Sequence, residues 1–302
     1  MLLNNKKLQE MNTNHRINRL LRFGFILCVS LVIFCPLKSY SQNAFEKELR
    51  NKMDSLISEK GQIVISQYML PNNSVASIMT PSGWGSYGTF IFGVLGGIYP
   101  AGYTNKADLI GSAGITFGNP NKSVNVSASV NVARVSELQD FSVNLVLSKE
   151  IFKNSSISVG GLQLFASEKI SDAPFHTYYF AFSHAVQTVK SKRPGFAALS
   201  YTIGFGTGRF LLKSPYDIEN GKGKYGTGVF GSISYEIFKQ VNLNAEWSGL
   251  NLGFSTGFRP IKNNNLTLGL GVYNLTRYSG DRPGMIATLG LPLSLDRKSK
   301  YK

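Results

Sequence analysis

The sequence predicts an all-β fold: a transmembrane, antiparallel, up-and-down β-barrel of about 12 strands, preceded by a short N-terminal helix. Three observations carry this: strict alternation of apolar and small polar residues, a leader with the features of a secretory signal, and connections that are short on one side and long on the other.

The alternation is clearest at 123–132. Val124, Val126, Ala128, Val130 and Val132 are apolar, while Ser123, Asn125, Ser127, Ser129 and Asn131 between them are small and uncharged. Successive side chains of a strand point to opposite faces, so this ribbon has one greasy face and one wet face. At ~3.3 Å per residue and a tilt of ~45°, ten residues rise ~23 Å, close to the ~25 Å apolar band of an outer-membrane barrel.

The leader occupies 1–41. Lys6, Lys7, Arg16, Arg19 and Arg22 form a positive n-region, 23–34 is an apolar run, and Ser39-Tyr40-Ser41 places small residues at the cleavage positions. The run is short for a membrane anchor, which needs ~20 residues. A lipoprotein signal fits less well, because Cys35 follows the bulky Phe34. Both cysteines of the chain, Cys28 and Cys35, would leave with the leader. A mature chain without thiols has no disulfide framework, no Cys-ligated zinc and no thiol nucleophile. Cleavage removes Lys6, Lys7, Arg16, Arg19, Arg22 and Lys38 but only Glu10 among the acids, so the formal charge of +15 falls yet stays positive.

Residues 42–85 read as a periplasmic helix followed by an extended connector. Phe45, Leu49, Met53, Leu56 and Ile57 fall at helical spacing and Gly61 is a natural C-cap. From 62 to 82 the chain carries Ile63-Val64-Ile65, then Pro71-Asn72-Asn73 and Thr80-Pro81-Ser82-Gly83, which suits a connector tucked against the barrel or into its mouth. The barrel itself is expected over 86–295, with a charged tail at 296–302. Candidate strands fall near 87–98, 107–117, 123–133, 140–148, 156–166, 175–187, 196–206, 226–238, 241–248, 250–259, 265–274 and 285–295.

Every second connection is short and basic: 118–122, 150–154, 190–195, 236–240 and 260–264. Two share Glu-Ile-Phe-Lys-(Asn/Gln), a weak internal repeat. The others are longer, the longest at 207–225. Short turns on one side and long loops on the other are a feature of bacterial outer-membrane barrels, with the turns in the periplasm. Lys122, Lys153, Lys190, Lys192, Arg193, Lys239 and Lys262 then ring the periplasmic rim. That placement accounts for the basic excess through headgroups rather than nucleic acid, and no aromatic–basic interleaving suggests a nucleic-acid platform.

If the apolar rows face lipid, Phe141, Val143, Leu145 and Leu147 point out and Asp140, Ser142, Asn144 and Ser148 point in. Val241, Leu243, Ala245 and Trp247 point out against Asn242, Asn244 and Glu246; Leu250, Leu252, Phe254 and Phe258 point out against Asn251, Ser255 and Arg259. Trp247 then stands in an aromatic girdle. His176 and His184 share the face of Tyr178, Phe180 and Phe182; at ~26 Å apart they cannot ligate one metal, and they read as girdle residues. No cofactor is implied. The candidate lumen site consists of Asp108, Asp140 and Glu246 near the long loops, with Glu236 and Arg259 as a cross-lumen ion pair near the short turns.

The segments 81–88 (PSGWGSYG), 115–120 (ITFGNP) and 246–253 (EWSGLNLG) resemble uncharacterised bacterial outer-membrane β-barrels, and the last is similar to the barrel of the YjbH-type exopolysaccharide-associated proteins. The resemblance spans roughly 81–295. It implies a barrel and a role linked to the envelope or to polysaccharide export, and brings no catalytic residues with it. Residues 288–295 (TLGLPLSL) resemble the terminal strand read by the barrel assembly machinery, with Leu where aromatics are usual. The expected partners are therefore outer-membrane lipid and lipopolysaccharide, that machinery, and envelope or polysaccharide-export components.

The function expected first is a passive pore or transport channel, since Ser, Asn, Thr and Gly in the lumen would hold water. A structural or secretion-accessory barrel is the alternative. A membrane lipid hydrolase comes third: Ser183 and His184 are adjacent, so they point to opposite faces and cannot form a nucleophile–base pair. The chain is expected not to be an enzyme.

Overall fold

The computed structural model describes residues 69–72, 76–135, 139–152, 154–166, 176–261 and 266–295. The leader, the helix expected within 42–60 and the tail at 296–302 lie outside the described residues. Two compact units divide the chain, Met1–Ser66 and Gln67–Lys302, and everything below concerns the second.

Fourteen strands are formed among the described residues: β1 (Leu70–Pro71), β2 (Phe90–Tyr99), β3 (Asp108–Gly118), β4 (Asn125–Arg134), β5 (Gln139–Phe152), β6 (Ser155–Leu164), β7 (Thr177–Ala185), β8 (Phe196–Ala197), β9 (Leu199–Gly206), β10 (Val229–Phe238), β11 (Val241–Trp247), β12 (Leu252–Phe258), β13 (Thr267–Tyr273) and β14 (Gly284–Ser294). Twelve of them close into an antiparallel barrel, each paired with its neighbour in sequence, with β14 returning to β2. β7 pairs with β9 directly because the two-residue β8 lies outside the barrel, where it pairs in parallel with β1. Closure leaves no edge strand, so apart from its bulges the ladder pairs within the sheet, the condition for backbone in hydrocarbon.

The alternation behaves as expected. Leu95, Ile203, Phe205, Ile233 and Leu270 are each more than half exposed, whereas their neighbours Thr202, Ser232, Ser234, Asn242, Asn244 and Ser255 are buried inside. A soluble protein rarely leaves a continuous apolar belt in water; a barrel wrapped in lipid requires one. β2 departs from the simple pattern. Phe90, Phe92, Val94 and Ile98 lie opposite in parity to Ile91, Leu95 and Tyr99, so this strand is apolar on both faces and its lumen side is not the expected polar row.

The repeated Glu-Ile-Phe-Lys-(Asn/Gln) segments build the same hairpin twice. β5 and β10 continue through Phe152 and Phe238, past the expected turn starts, and Phe152 pairs with Ser155 as Phe238 pairs with Val241. The register slips between Glu150 and Phe152, and again between Glu236 and Phe238, giving a bulge at the isoleucine. Asn154 and Gln240 take φ of 74° and 65°, the left-handed conformation that closes such a tight turn. Each bulge keeps its glutamate pointing inward.

The connections are sorted only in part. The strand ends joined after β3, β5, β7, β10 and β12 lie at one end and those joined after β2, β4, β6, β9, β11 and β13 at the other, but 13 residues separate Ala185 from Leu199 at the first end, whereas four separate Arg134 from Gln139 and Trp247 from Leu252 at the second. The longest loop, 207–228, holds a 3-10 turn (Gly208–Phe210) and a short helix, α1 (Pro215–Glu219), capped by the Ser214 hydroxyl, which accepts from the Asp217 amide.

Candidate functional site: the occupied lumen

The connector before the first barrel strand turns into the barrel. At the short-turn end, the Gln187 side chain clasps Met69, accepting from its amide at 2.9 Å and donating to its carbonyl at 2.8 Å. Beside it β1 pairs with β8, and Asn242 Nδ2 reaches the Asn72 carbonyl oxygen of the side chain at 2.9 Å. Residues 77–87 then lie against inward-facing side chains.

Glu246 is the anchor. It is fully buried, and its carboxylate accepts from the amides of Ile78 (3.0 Å) and Met79 (2.8 Å), from the Ser77 hydroxyl, and from Ser255 Oγ (2.6 Å). A buried carboxylate needs such donors, because its desolvation otherwise costs several kcal/mol, of the order of 3–5 when a partner is removed. Further along, Ser158 Oγ donates to the Ser82 carbonyl (2.8 Å) and the Gly83 amide donates to Ser183 Oγ (2.8 Å). The Ser86 amide donates to Asn125 (3.3 Å), and Tyr87 OH donates to Glu150 (2.9 Å).

Shape supports these bonds. A Cβ on Gly85 would sit 2.8 Å from the Ser148 Cβ, and one on Gly83 would press into the Ser156 carbonyl and approach the Ser183 amide to 2.9 Å. In the wall, Gly269 leaves room for Ile78, whose Cδ1 would lie 2.8 Å from an added Cβ, and Gly253 leaves room for Met79. Small residues on both surfaces allow the backbones this close approach.

The plug is off-centre. It is bonded mainly to the wall from β6 to β12, and on the opposite side, against β2–β5 and β13–β14, a cavity of about 600 Å³ remains. Trp84, Tyr87, Phe90, Phe92, Phe196 and Arg259 contribute to its lining. Nearer the long loops, Ile110, of inward parity, is 43% exposed, so the lumen beside β3 is not filled there. On the other side of the outer lumen, Tyr179, Phe210 and Phe230 form a buried cluster, with Phe210 and Phe230 centroids 4.3 Å apart.

The five sequence-predicted lumen residues do not gather into one site. Asp108 opens β3 and Asp140 is the second residue of β5, both at the long-loop end, and Glu246 holds the plug on the far wall. Glu236, buried, accepts from the backbone amides of Lys192 (3.1 Å) and Gln240 (3.0 Å), so it braces two turns instead of pairing with Arg259 across the lumen. Arg259 lines the cavity. The bulged hairpin explains the difference: it aims Glu236 back at its own turn.

No protein-family model matches the chain, and no curated protein matches its sequence. Among solved structures, the chain is similar to the KdgM porin at 14% identity (TM-score 0.40, 69% of this chain and 99% of that one). It is similar to outer membrane phospholipase A from Escherichia coli at 13% identity (TM-score 0.37, 69% and 93%). It is similar to OprG from Pseudomonas aeruginosa at 9% identity (TM-score 0.15, 71% and 100%). These likenesses carry no argument about function. The barrel assignment rests on the strand pairing itself. The similarity to YjbH-type proteins has no counterpart in them.

Two features escaped the sequence. The outer loops are locked around Asp217, which accepts from Tyr103 OH (2.5 Å), the Gly280 amide (2.7 Å), Ser214 Oγ (3.1 Å) and the Ser279 hydroxyl, with Lys222 Nζ at 3.7 Å. Burial alone would raise the Asp217 pKa, but the hydrogen bonds from Ser279, Tyr103, Gly280 and Ser214 outweigh it and hold the carboxyl below the ordinary carboxylate value. Asn251 is a second hub, donating to Asn274 and the Ser279 carbonyl while accepting from Thr276 Oγ1 and the Tyr278 amide. The other missed feature is a Ser–His contact. Ser183 faces inward as expected, yet His184 Nδ1 lies 2.8 Å from Ser155 Oγ on the neighbouring strand. Among the described residues no carboxylate or amide side chain is bonded to this imidazole, whose ring packs beside Tyr201. The pairing of residues 29 apart could be found only from the register.

Proposed function

We propose that the chain is an integral outer-membrane β-barrel of the channel class, narrowed by its own segment 77–87 so that solutes pass beside the plug rather than through an open pore. The observation that carries this is the off-centre plug: hydrogen-bonded to one wall through Glu246, it leaves space along β2–β5. The apolar belt, the partly sorted connections and the leader support the outer-membrane location, with the short basic turns in the periplasm and lipopolysaccharide around the loop end. The terminal strand makes the barrel assembly machinery a proposed partner. The chain is proposed to be non-enzymatic, because among the described residues no third group is bonded to His184 to orient it as a base toward Ser155.

Planar-bilayer conductance tests the channel. The native protein should give small, steady steps, and Glu246→Ala should enlarge them several-fold by freeing the plug, with heat-modifiable gel mobility confirming a folded barrel. Folded preparations that stay silent in both forms would reject the channel. They would favour an accessory barrel in envelope or polysaccharide export. The specific observation favouring that second reading is the network that bonds the outer loops to one another around Asp217 and Asn251. Co-purification with polysaccharide-export components would support it.

A further inference from the structure

We infer that the open side of the lumen is an apolar track ending in a binding cavity for a small, neutral, largely apolar organic molecule such as an aryl alcohol. This deepens the channel proposal by naming a solute class for the same passage. Binding itself does not require conduction.

The track lies on β2 and its two neighbours. Phe90, Phe92, Val94 and Ile98 share the inward parity of β2. Pro292 and Ile286, of inward parity on β14, stand opposite Phe92 and Ile98, and Ile110 of β3 stands opposite Gly96. Phe90 to Ile98 covers ~26 Å of strand, so the row runs along nearly all of β2. Midway the lumen is open: a Cβ added to Gly96 would meet no atom nearer than 3.9 Å. At the short-turn end the row runs into the cavity of about 600 Å³, within the roughly 300–1,000 Å³ of small-molecule sites. There Trp84 and Phe196 join Phe90, Phe92 and Pro292.

The plug selects which wall the passage sees. Its hydrogen bonds named above fall on Asn125, Glu150, Ser158, Ser183 and Glu246, polar groups of β4, β5, β6, β7 and β11. The apolar row on β14, β2 and β3 is the surface left beside the open space. Water held against such a wall is displaced with a gain by an apolar body.

The polar side chains of the adjoining wall narrow the class further, because they are bonded to one another. Asn125 donates to Thr116, Asn144 to Asn131, and Asn131 to Ser142. A polyhydroxylated sugar would gain its own hydrogen bonds here only by breaking these pairs, whereas a hydrocarbon or aryl body leaves them in place. Arg259 shares the cavity lining and is engaged in an interaction of its own, which a neutral molecule leaves as it stands.

The chain has two tryptophans, so Trp247→Phe leaves Trp84 as the sole indole reporter on the cavity. The bromine of 4-bromobenzyl alcohol quenches an indole on contact, and titrating it into this folded protein in detergent should quench Trp84 saturably. Benzyl alcohol should relieve the quenching by competition, and glucose should not. Ser127→Phe, which puts a ring into the cavity, and Phe92→Asn, which removes apolar surface from it, should each weaken binding about tenfold or more. Trp84→Phe keeps the outward Trp247 as a reporter of partition into the micelle, so its quenching should rise in proportion to concentration and ignore Ser127→Phe. Quenching of Trp84 that never saturates, that glucose relieves as well as benzyl alcohol does, or that survives both cavity variants overturns the inference. Heat-modifiable mobility shows that each variant is folded. Conduction without saturable quenching removes this site alone, and saturable quenching without conduction removes the channel alone.

Discussion

Glu246 concentrates the chemistry of the lumen in one side chain. It gathers two plug amides and two hydroxyls, and its removal leaves those donors without their acceptor. Glu246→Ala leaves several buried donors unsatisfied and should cost the plug about 3–5 kcal/mol of docking free energy, read as faster hydrogen exchange at Ile78 and Met79 by about two to four orders of magnitude. Glu246→Gln, which keeps one acceptor, should fall between. Glycines give a sharper steric test. At Gly83 the obstacle is the Ser156 backbone, which cannot yield, so Gly83→Ala should weaken docking by about 1–3 kcal/mol. At Gly253 the obstacle is the flexible end of Met79, so Gly253→Ala should be milder in the same exchange measurement. Glu246 was placed on the lumen side from parity alone, as were Asn242, Asn244 and Ser255. Its partner was not legible, because Ile78 and Met79 lie more than 160 residues away in the chain.

At the scale of elements, the loop end behaves as a small folded cap. Asp217 ties α1 and the long loop to the connections after β2 and β13, and its depressed pKa makes the tie pH-dependent. With the folded pKa below the unfolded value near 3.8, the stabilisation is complete above that value and lost as pH falls through the folded pKa. Limited proteolysis by pepsin should therefore begin cutting 207–228 as acidity rises, while the strands stay intact. Asp217→Asn should open the loop at neutral pH and flatten that dependence. The hairpins show how far local signals reach. The Glu-Ile-Phe-Lys repeat was visible as a repeat, and its turn residues told where the chain reverses. The bulge at Ile151 and Ile237 was not visible, since a register slip depends on both strands.

For the whole molecule, the proposed membrane location sets the exposed apolar belt against lipid. Ile233, outward-facing in mid-strand, should tolerate Val but not Lys: a lysine there costs about 2–4 kcal/mol near the bilayer midplane. Refolding into vesicles, followed by gel mobility, should show a reduced folded fraction for Ile233→Lys. Ser232→Ala, one residue away on the lumen side, should refold normally. The sequence by itself determined the barrel, its size of about twelve strands, and the facing of most of them. Each of these follows from a period of two or from turn residues, and such signals are local. Only the tertiary structure decided that the connector fills one side of the lumen, that Glu246 holds it there, that Glu236 braces turns instead of meeting Arg259, and that His184 meets Ser155. Those contacts join residues distant in sequence, and closing the barrel in one particular register is what brings them within bonding distance.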